Sequence, residues 1–178
     1  MERDLTKDCI EIQTDRKIGP TRHAKKIKFV MIDNEVIVLK YVRTQKGWPW
    51  RYKQEKLIYS ILKDEDFLPK LKYFDDKHLI LGLTDVGTPV SIYIKKKKKK
   101  PKDYNDQLKN INDILKNKYG LYHNDLKPSN ICIDHNNNVK IIDFDHINQE
   151  KGTTIHGERA WRRIKKNQPI FKQFLNNK

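Results

Sequence analysis

Long apolar runs are missing from this sequence. No window approaches the roughly 18 apolar residues of a membrane-spanning helix, and the first residues, Met1-Glu2-Arg3-Asp4, lack the apolar stretch of a secretory signal peptide. Cysteine is also scarce: Cys9 and Cys132 are the only two, and Cys132 falls in an apolar run that is typical of a buried, reduced thiol. We therefore expect an intracellular protein of the cytoplasm or nucleus, with no transmembrane segment and no disulfide.

Acidic residues are fewer than basic ones. The sequence has 38 Lys and Arg against 23 Asp and Glu, a formal net charge of +15, which favours encounters with nucleic acid, anionic lipid, acidic protein surfaces or polyphosphates. This charge indicates a class of partner but no reaction. Its longest block runs from Lys95 to Lys100, and because like charges in a row repel one another, we expect a solvated loop there rather than a reader of bases.

The length of 178 residues suits one compact domain, with a core large enough for a single unit or two small lobes. In the first half, short runs rich in β-branched residues alternate with turn residues, and Leu57, Ile58 and Ile61 stand at helical spacing. These patterns predict a small antiparallel sheet with one amphipathic helix. The predicted strands are Lys26–Ile32, Glu35–Val42, Leu71–Phe74 and His78–Leu83, and the predicted helix is Arg51–Leu62.

The second half of the chain is organised differently. Gly87, Pro89 and the lysine block mark the change. The following segment carries apolar residues on one helical face and ends at Gly120, since glycine commonly follows the last residue of a helix. The predicted elements are a helix at Tyr104–Tyr119, a hairpin of Ile131–Ile133 and Val139–Ile142, and a final helix from about Arg159 to Leu175 that Pro169 interrupts.

Polar residues gather at both ends of this second hairpin. The segment His123-Asn124-Asp125-Leu126-Lys127-Pro128-Ser129-Asn130 precedes it, and Asp143-Phe144-Asp145 follows it. The two segments resemble the catalytic and metal-binding loops of the protein-kinase superfamily, in which an Asn follows the catalytic Asp by five residues and a second Asp opens the next loop. Asp125, Asn130 and Asp143 stand at the matching positions.

The chemistry of phosphoryl transfer explains why these residue types suit such a site. A carboxylate is needed to orient the attacking hydroxyl, and oxygen ligands are needed to hold Mg²⁺ against the phosphates. Asp125 can accept the hydroxyl proton as the catalytic base, and Asn130 and Asp143 offer hard oxygen ligands for the metal. Lys127 can neutralise the transferring phosphate, which gives it both a catalytic and a nucleotide-binding role.

A second resemblance lies upstream. The run Val36-Ile37-Val38-Leu39-Lys40 is similar to the Val-Ala-Ile-Lys strand of the same superfamily, which implies that Lys40 contacts the α- and β-phosphates of ATP. Glu55, on the predicted helix, stands where the family carries the glutamate that pairs with this lysine. The implied cofactors are ATP and Mg²⁺.

The resemblance implies an α+β, bilobal, protein-kinase-like fold over residues 1–178. Residues 1–87 would form a small antiparallel sheet lobe with one helix, and residues 88–178 a truncated helical lobe, a reduction that the RIO group of small kinases also shows. The family's glycine-rich loop has no clear counterpart, because residues 14–25 contain only Gly19. Our hypothesis is that basic side chains there, such as Arg22 and Lys25, replace main-chain amides as phosphate donors.

The function implied by the resemblance is that of an ATP-dependent phosphotransferase, a small Ser/Thr protein kinase that transfers the γ-phosphate to a hydroxyl. Its partner would be a protein substrate, either acidic or associated with nucleic acid. Two alternatives stay open: the missing glycines favour a pseudokinase binding module, and Asn124 and Asp145 are similar to residues of choline and aminoglycoside kinases, which act on small molecules. Direct nucleic-acid binding rests on charge alone.

Overall fold

A computed structural model of the protein describes residues 2, 4, 9–12, 24–42, 49–97 and 99–148. Within these residues the chain forms three α-helices, one five-stranded sheet and one three-stranded sheet, and every strand pairing in both sheets is antiparallel. The chain divides into two compact units, Met1–Val86 and Gly87–Lys178. None of the helices in the described ranges has the length and apolar character that crossing a bilayer requires. The predicted α+β class is confirmed.

The Met1–Val86 unit is built around the five-stranded sheet, in the order β1-β2-β3-β5-β4. The predicted hairpin of β2 and β3 turns at Asp33 and Asn34, both with positive φ (49° and 63°), a conformation that Asp and Asn tolerate better than most residues. The elements are β1 (Ile10–Glu11), β2 (Ala24–Ile32), β3 (Glu35–Val42), α1 (Pro49–Ile61), β4 (Leu71–Asp75) and β5 (Ile80–Thr84).

Alternation along β3 separates the core from the first group of predicted site residues. Ile37 and Leu39 are fully buried in a hydrophobic cluster with residues of β2 and β5. Because successive side chains of a strand point to opposite faces, Lys40 lies on the other face. There it meets α1, and its main chain pairs with Leu81 of β5.

Several predicted boundaries in this unit differ from the structure by one or two residues, and two of these differences have a clear local reason. Helix α1 begins at Pro49 rather than Arg51, because the fixed φ of proline suits the first position of a helix. Strand β5 begins at Ile80 rather than His78. The main-chain N–H of His78 donates instead to the carboxylate of Asp75 (2.8 Å), and Leu79 has a positive φ of 55°, so the turn is longer than predicted.

The Gly87–Lys178 unit contains the three-stranded sheet, in the order β6-β7-β8. The predicted helix before the hairpin is confirmed, and Gly120 ends it in the left-handed conformation (φ 62°). The elements are β6 (Thr88–Pro89), α2 (Val90–Lys97), α3 (Tyr104–Tyr119), β7 (Ile131–Ile133), β8 (Val139–Ile141) and a 3₁₀ turn (Phe144–His146).

The lysine block does not form the expected loop throughout. Lys95, Lys96 and Lys97 make up the last turn of α2, although their side chains are exposed as expected. The negative end of the helix dipole lies at the C-terminus of a helix, so cations are favoured there despite their mutual repulsion. The expectation of solvation is confirmed for these three residues, and the expectation of a loop is wrong for them.

Several predictions concern residues outside the described ranges. They are the lack of a glycine-rich loop, the phosphate-binding role of Arg22 and of the Lys25 side chain, and the final helix from Arg159 to Leu175.

Candidate functional site

Lys40 and Glu55, predicted as partners, meet inside the Met1–Val86 unit. The Nζ atom of Lys40 donates to both carboxylate oxygens of Glu55, at 2.8 Å each. Both residues are buried, with 8% of Lys40 and 1% of Glu55 exposed. The hydroxyl of Tyr59, one helical turn further along α1, donates to Oε1 of Glu55 at 3.4 Å. Because both residues are buried, removing either one would leave an unpaired charge in the core and would destabilise the fold by about 3–5 kcal/mol.

Asp125 accepts hydrogen bonds from two other predicted site residues, all within the Gly87–Lys178 unit. Nζ of Lys127 donates to Oδ2 of Asp125 at 2.7 Å. Nδ2 of Asn130 donates to the same oxygen at 2.9 Å and to the main-chain carbonyl of Asp125 at 3.0 Å. A turn that links the main-chain N–H of Asn130 to the carbonyl of Lys127 (2.8 Å) brings the three residues together. The carboxylate therefore has a fixed orientation.

His123 fastens this loop to the end of β8. Its Nε2 lies 3.0 Å from the main-chain carbonyl of Ile142, which can only accept, so Nε2 carries the proton. Nδ1 is then the acceptor for the main-chain N–H of Asp125, 3.4 Å away. The ring packs against Phe144, with centroids 5.0 Å apart. These contacts place Asp125 at a defined position relative to the hairpin.

His123 is uncharged because of its buried surroundings. Burial lowers the pKa of His123 below its ordinary value, against the opposing effect of the hydrogen bond to Ile142 and of the negative charges of Asp143, Asp125 and Asp145. The ring is therefore neutral near pH 7. The same balance shows that three acidic side chains lie near one imidazole.

Asp143 follows the residue that joins the loop to the hairpin. The main-chain N–H of Ile142 donates to the carbonyl of Asn130 at 2.9 Å. Asp143 is the next residue in the chain, so this bond holds its main chain near Asn130. Asp143 has a positive φ of 69° and a partly buried side chain. Aspartate tolerates this left-handed backbone better than most residues do, as Asp33 also shows in the β2–β3 turn.

The side-chain atoms of Asn130 and Asp143 fit a hard metal ion. Because Nδ2 of Asn130 is used by Asp125, the amide oxygen Oδ1 is the atom left for a cation, and it accepts from Oγ of Ser129 at 3.2 Å. Asp143 adds a carboxylate. Amide and carboxylate oxygens are the ligand types that Mg²⁺ prefers in proteins.

Another group of possible ligand atoms lies in the other unit, where no metal was predicted. Among the described residues, atoms of Asp4, Asp75 and His78 lie within 4.8 Å of one another. Nδ1 of His78 lies 2.7 Å from Asp75, whose carboxylate also accepts the main-chain N–H of His78. These bonds form a cap on the β4–β5 turn and account for the closeness of that pair.

The sequence analysis missed two residues next to the predicted ones. Tyr59 could have been found from its spacing, because residues four apart on a helix are neighbours and Glu55 is four residues before it. Asp145 was noted only as a departure from the family pattern, and it is 1% exposed within the 3₁₀ turn, with Nε2 of His146 at 3.5 Å. Burial of a carboxylate has no signal in the local sequence.

The predicted site residues thus divide between the two units. Lys40 and Glu55 belong to Met1–Val86, and Asp125, Lys127, Asn130 and Asp143 belong to Gly87–Lys178. Neither a scan against protein-family models nor a search of curated proteins finds a match to this chain.

Proposed function

We propose that this chain is an ATP-dependent phosphotransferase with a bilobal, protein-kinase-like fold. The observation that carries the proposal is the orientation of the Asp125 carboxylate by Lys127 and Asn130, on a loop joined by hydrogen bonds to the residue before Asp143. Phosphoryl transfer depends on positioning and on charge stabilisation more than on covalent chemistry, and a preoriented carboxylate beside oxygen ligands supplies both.

Each residue of the loop has one role in this proposal. Asp125 accepts the proton of the acceptor hydroxyl and orients its oxygen for attack. Lys127, half-exposed beside Asp125, stabilises the charge of the phosphoryl group as it moves. Asn130, through Oδ1, and Asp143 would hold Mg²⁺. When bound, ATP would supply the phosphoryl group, and Mg²⁺ would neutralise part of the developing negative charge.

Lys40 would bind the α- and β-phosphates, and Glu55 would hold the ammonium in position. The buried contact of Lys40 with both oxygens of Glu55 supports this role, because it fixes a flexible side chain that otherwise has many rotamers. A lysine held in this way offers a positive charge at a defined position without further reorganisation on ATP binding.

The acceptor in this proposal is a serine or threonine of a protein. Lys127, two residues after Asp125, supports this choice, because small-molecule kinases that share the fold usually lack a lysine at this position. The formal net charge of +15 favours an acidic protein among possible substrates.

The test is label transfer from ATP. The purified chain is incubated with labelled ATP and Mg²⁺, alone and with an acidic or a basic protein substrate. We expect transfer by the wild type, a loss of about 100-fold or more in Asp125→Asn, and a comparable loss in Asp143→Ala. Asp106→Asn, the same chemical change on the exposed side of α3, is the matched control and retains activity.

Equal transfer by the wild type and Asp125→Asn would contradict the proposal. ATP binding without any transfer would instead identify a nucleotide-binding module, the pseudokinase alternative. Phosphoamino-acid analysis of the product distinguishes serine and threonine from other acceptors, and phosphorylation of an added amino alcohol or amino sugar in preference to protein would favour a small-molecule kinase.

A further inference from the structure

Helix α1 carries a stripe of four polar and aromatic side chains on one face. Tyr52, Glu55, Lys56 and Tyr59 are spaced at three- and four-residue intervals, which places them next to one another along the helix. Glu55 binds Lys40. Tyr52 and Lys56, the neighbours of Glu55 in this stripe, have a different partner.

That partner is Asp76, at the turn between β4 and β5. The hydroxyl of Tyr52 donates to Oδ1 of Asp76 at 2.6 Å. Nζ of Lys56 donates to both carboxylate oxygens, at 2.7 and 3.0 Å, and lies 3.3 Å from the ring centroid of Phe74. Three hydrogen bonds from α1 therefore end on one side chain.

Tyr52 is the part of this contact that is shielded from solvent. Only 2% of Tyr52 is exposed, whereas half of the Asp76 side chain is exposed. Burial, followed by the hydrogen bond to Asp76, raises the pKa of Tyr52 well above its ordinary value, so the hydroxyl remains a donor at any working pH. A neutral donor to a carboxylate makes a stronger hydrogen bond than two neutral groups do.

The two polar contacts of α1, Glu55 with Lys40 and Tyr52 with Asp76, both connect the helix to the same sheet. Asp76 directly follows β4, β4 pairs with β5, and β5 pairs with β3, which carries Lys40 opposite Leu81. Buried apolar side chains of α1, among them Trp50, Ile58 and Ile61, also hold the helix in this unit. Apolar packing is not directional, whereas a hydrogen bond three residues from Glu55 is, so a second polar contact opposes small rotations of the helix about its axis. The Tyr52–Asp76 contact supplies this second polar contact.

We propose that Tyr52 and Asp76 are positioning residues for the Lys40–Glu55 pair: their hydrogen bond, reinforced by Lys56, holds α1 in the rotation at which Glu55 reaches Lys40. The proposal rests on the proposed function, because positioning has a purpose only if Lys40 binds ATP. It adds that hydrogen bonds within the Met1–Val86 unit hold the pair together.

The test measures the reactivity of Lys40 directly, in the full chain and without turnover. Acetic anhydride acylates a lysine in its neutral, accessible form, so a lysine paired with a carboxylate reacts slowly. We expect Tyr52→Phe to raise the rate of Lys40 acetylation, followed by mass spectrometry, about three- to tenfold. Lys140, ion-paired with Asp134 in the other unit, is the internal reference and keeps its rate.

The chain offers a matched control for the loss of a tyrosine hydroxyl. Tyr73 donates to a carboxylate oxygen of Asp33 at 2.7 Å, in the same unit but on β4. Tyr73→Phe therefore removes a comparable bond without touching α1, and we expect Lys40 to react as in the wild type. Where Tyr52→Phe fails to fold, which far-UV circular dichroism and urea unfolding reveal, Asp76→Asn replaces it as the variant.

A double mutant separates positioning from general loosening. Glu55→Gln should raise Lys40 acetylation by itself, and adding Tyr52→Phe should raise it no further, because Tyr52 acts only through Glu55. Unchanged Lys40 reactivity in both Tyr52→Phe and Asp76→Asn would overturn the inference, as would an equal rise in Tyr73→Phe.

If the wild type transfers no phosphate, the proposed function fails, while the acetylation rates still decide the positioning claim. If it does transfer phosphate, Tyr52→Phe should raise the KM for ATP severalfold, and Tyr73→Phe should not.

Discussion

Asn130 binds Asp125 twice with one nitrogen: Nδ2 donates to the main-chain carbonyl at 3.0 Å and to the carboxylate at 2.9 Å. Asn130 is also 5% exposed. The side-chain nitrogen of Asn130 thus fixes both the fold of the loop and the direction of the Asp125 carboxylate. The amide oxygen of Asn130 accepts from Oγ of Ser129 instead. Stability and the proposed Mg²⁺ binding would therefore depend on the same side chain.

Asn130→Ala should weaken both properties. We expect the free energy of unfolding to fall by about 1–3 kcal/mol, since two partly buried hydrogen bonds are lost, and the Mg²⁺ concentration for half-maximal phosphate transfer to rise about tenfold or more. Urea unfolding and a Mg²⁺ titration measure the two effects. Asn105→Ala, on the exposed side of α3, should change neither, and an unaltered Mg²⁺ requirement in Asn130→Ala would contradict a ligand role.

The pH dependence of stability should carry a contribution from His123. Burial lowers its pKa in the folded protein, so between the ordinary value of 6.5 and the folded value the unfolded chain binds a proton that the folded chain does not. Stability is therefore full above about pH 6.5 and falls as the pH drops below it. His123→Phe removes this titration and should reduce the loss of unfolding free energy between pH 7.5 and 5.5. An identical loss in the variant would show that His123 does not contribute.

Asp134 should stabilise the β7–β8 turn at every pH above about 4. Although burial raises its pKa, hydrogen bonds from the main-chain and side-chain amides of Asn138 and from the main-chain N–H of Asn136, together with the charge of Lys140, hold the pKa below the ordinary 3.8. Its stabilisation is thus present above about pH 4 and is lost as the pH falls through the folded pKa.

We expect Asp134→Ala to lower the free energy of unfolding by about 1–3 kcal/mol at pH 6 and by less near pH 3. Urea unfolding at both values measures the difference. A deficit that is equal at the two values would mean that the charge of Asp134 is unimportant.

Gly87→Ala should be strongly destabilising. Gly87 has a φ of 97°, and an added Cβ would lie 2.2 Å from the carbonyl oxygen of Ile133. We expect a loss of about 2–4 kcal/mol in the free energy of unfolding, from backbone strain and steric overlap together. Gly120→Ala, at the exposed end of α3 with φ 62°, tests the left-handed conformation alone and should cost about 1 kcal/mol. Equal losses would argue against the overlap.

The regular elements were predictable where a single local pattern decides the structure. The β-branched runs of β2 and β3 with a turn at Asp33, and the periodicity of α3 with Gly120 after it, predicted elements that the structure contains. The Lys40–Glu55 contact was expected from the resemblance of the flanking residues, and the structure contains that contact. Each of these depends on residues close in sequence or on a recognised motif.

Other features could not be predicted because partners distant in sequence decide them. Helix α2 carries like charges at its end, and the main-chain N–H of Ser91 in its first turn donates to the carbonyl of Pro128 at 3.1 Å, a contact with no local signal. The bond between Tyr52 and Asp76 joins residues 24 apart, and neither residue type is unusual where it stands. The burial of Asp145 likewise depends on elements that pack around it.

His123 and Asn130 are hydrogen-bonded to Ile142, and Lys127 and Asn130 are hydrogen-bonded to Asp125, all within one short stretch of chain that the β7–β8 hairpin closes. Closing a loop of that size costs little entropy, and contacts between near neighbours in the chain form early during folding. After dilution from denaturant, the loop of residues 123–130 should therefore regain amide protection early, ahead of the five-stranded sheet, whose β3–β5 pairing must first bring distant segments into register.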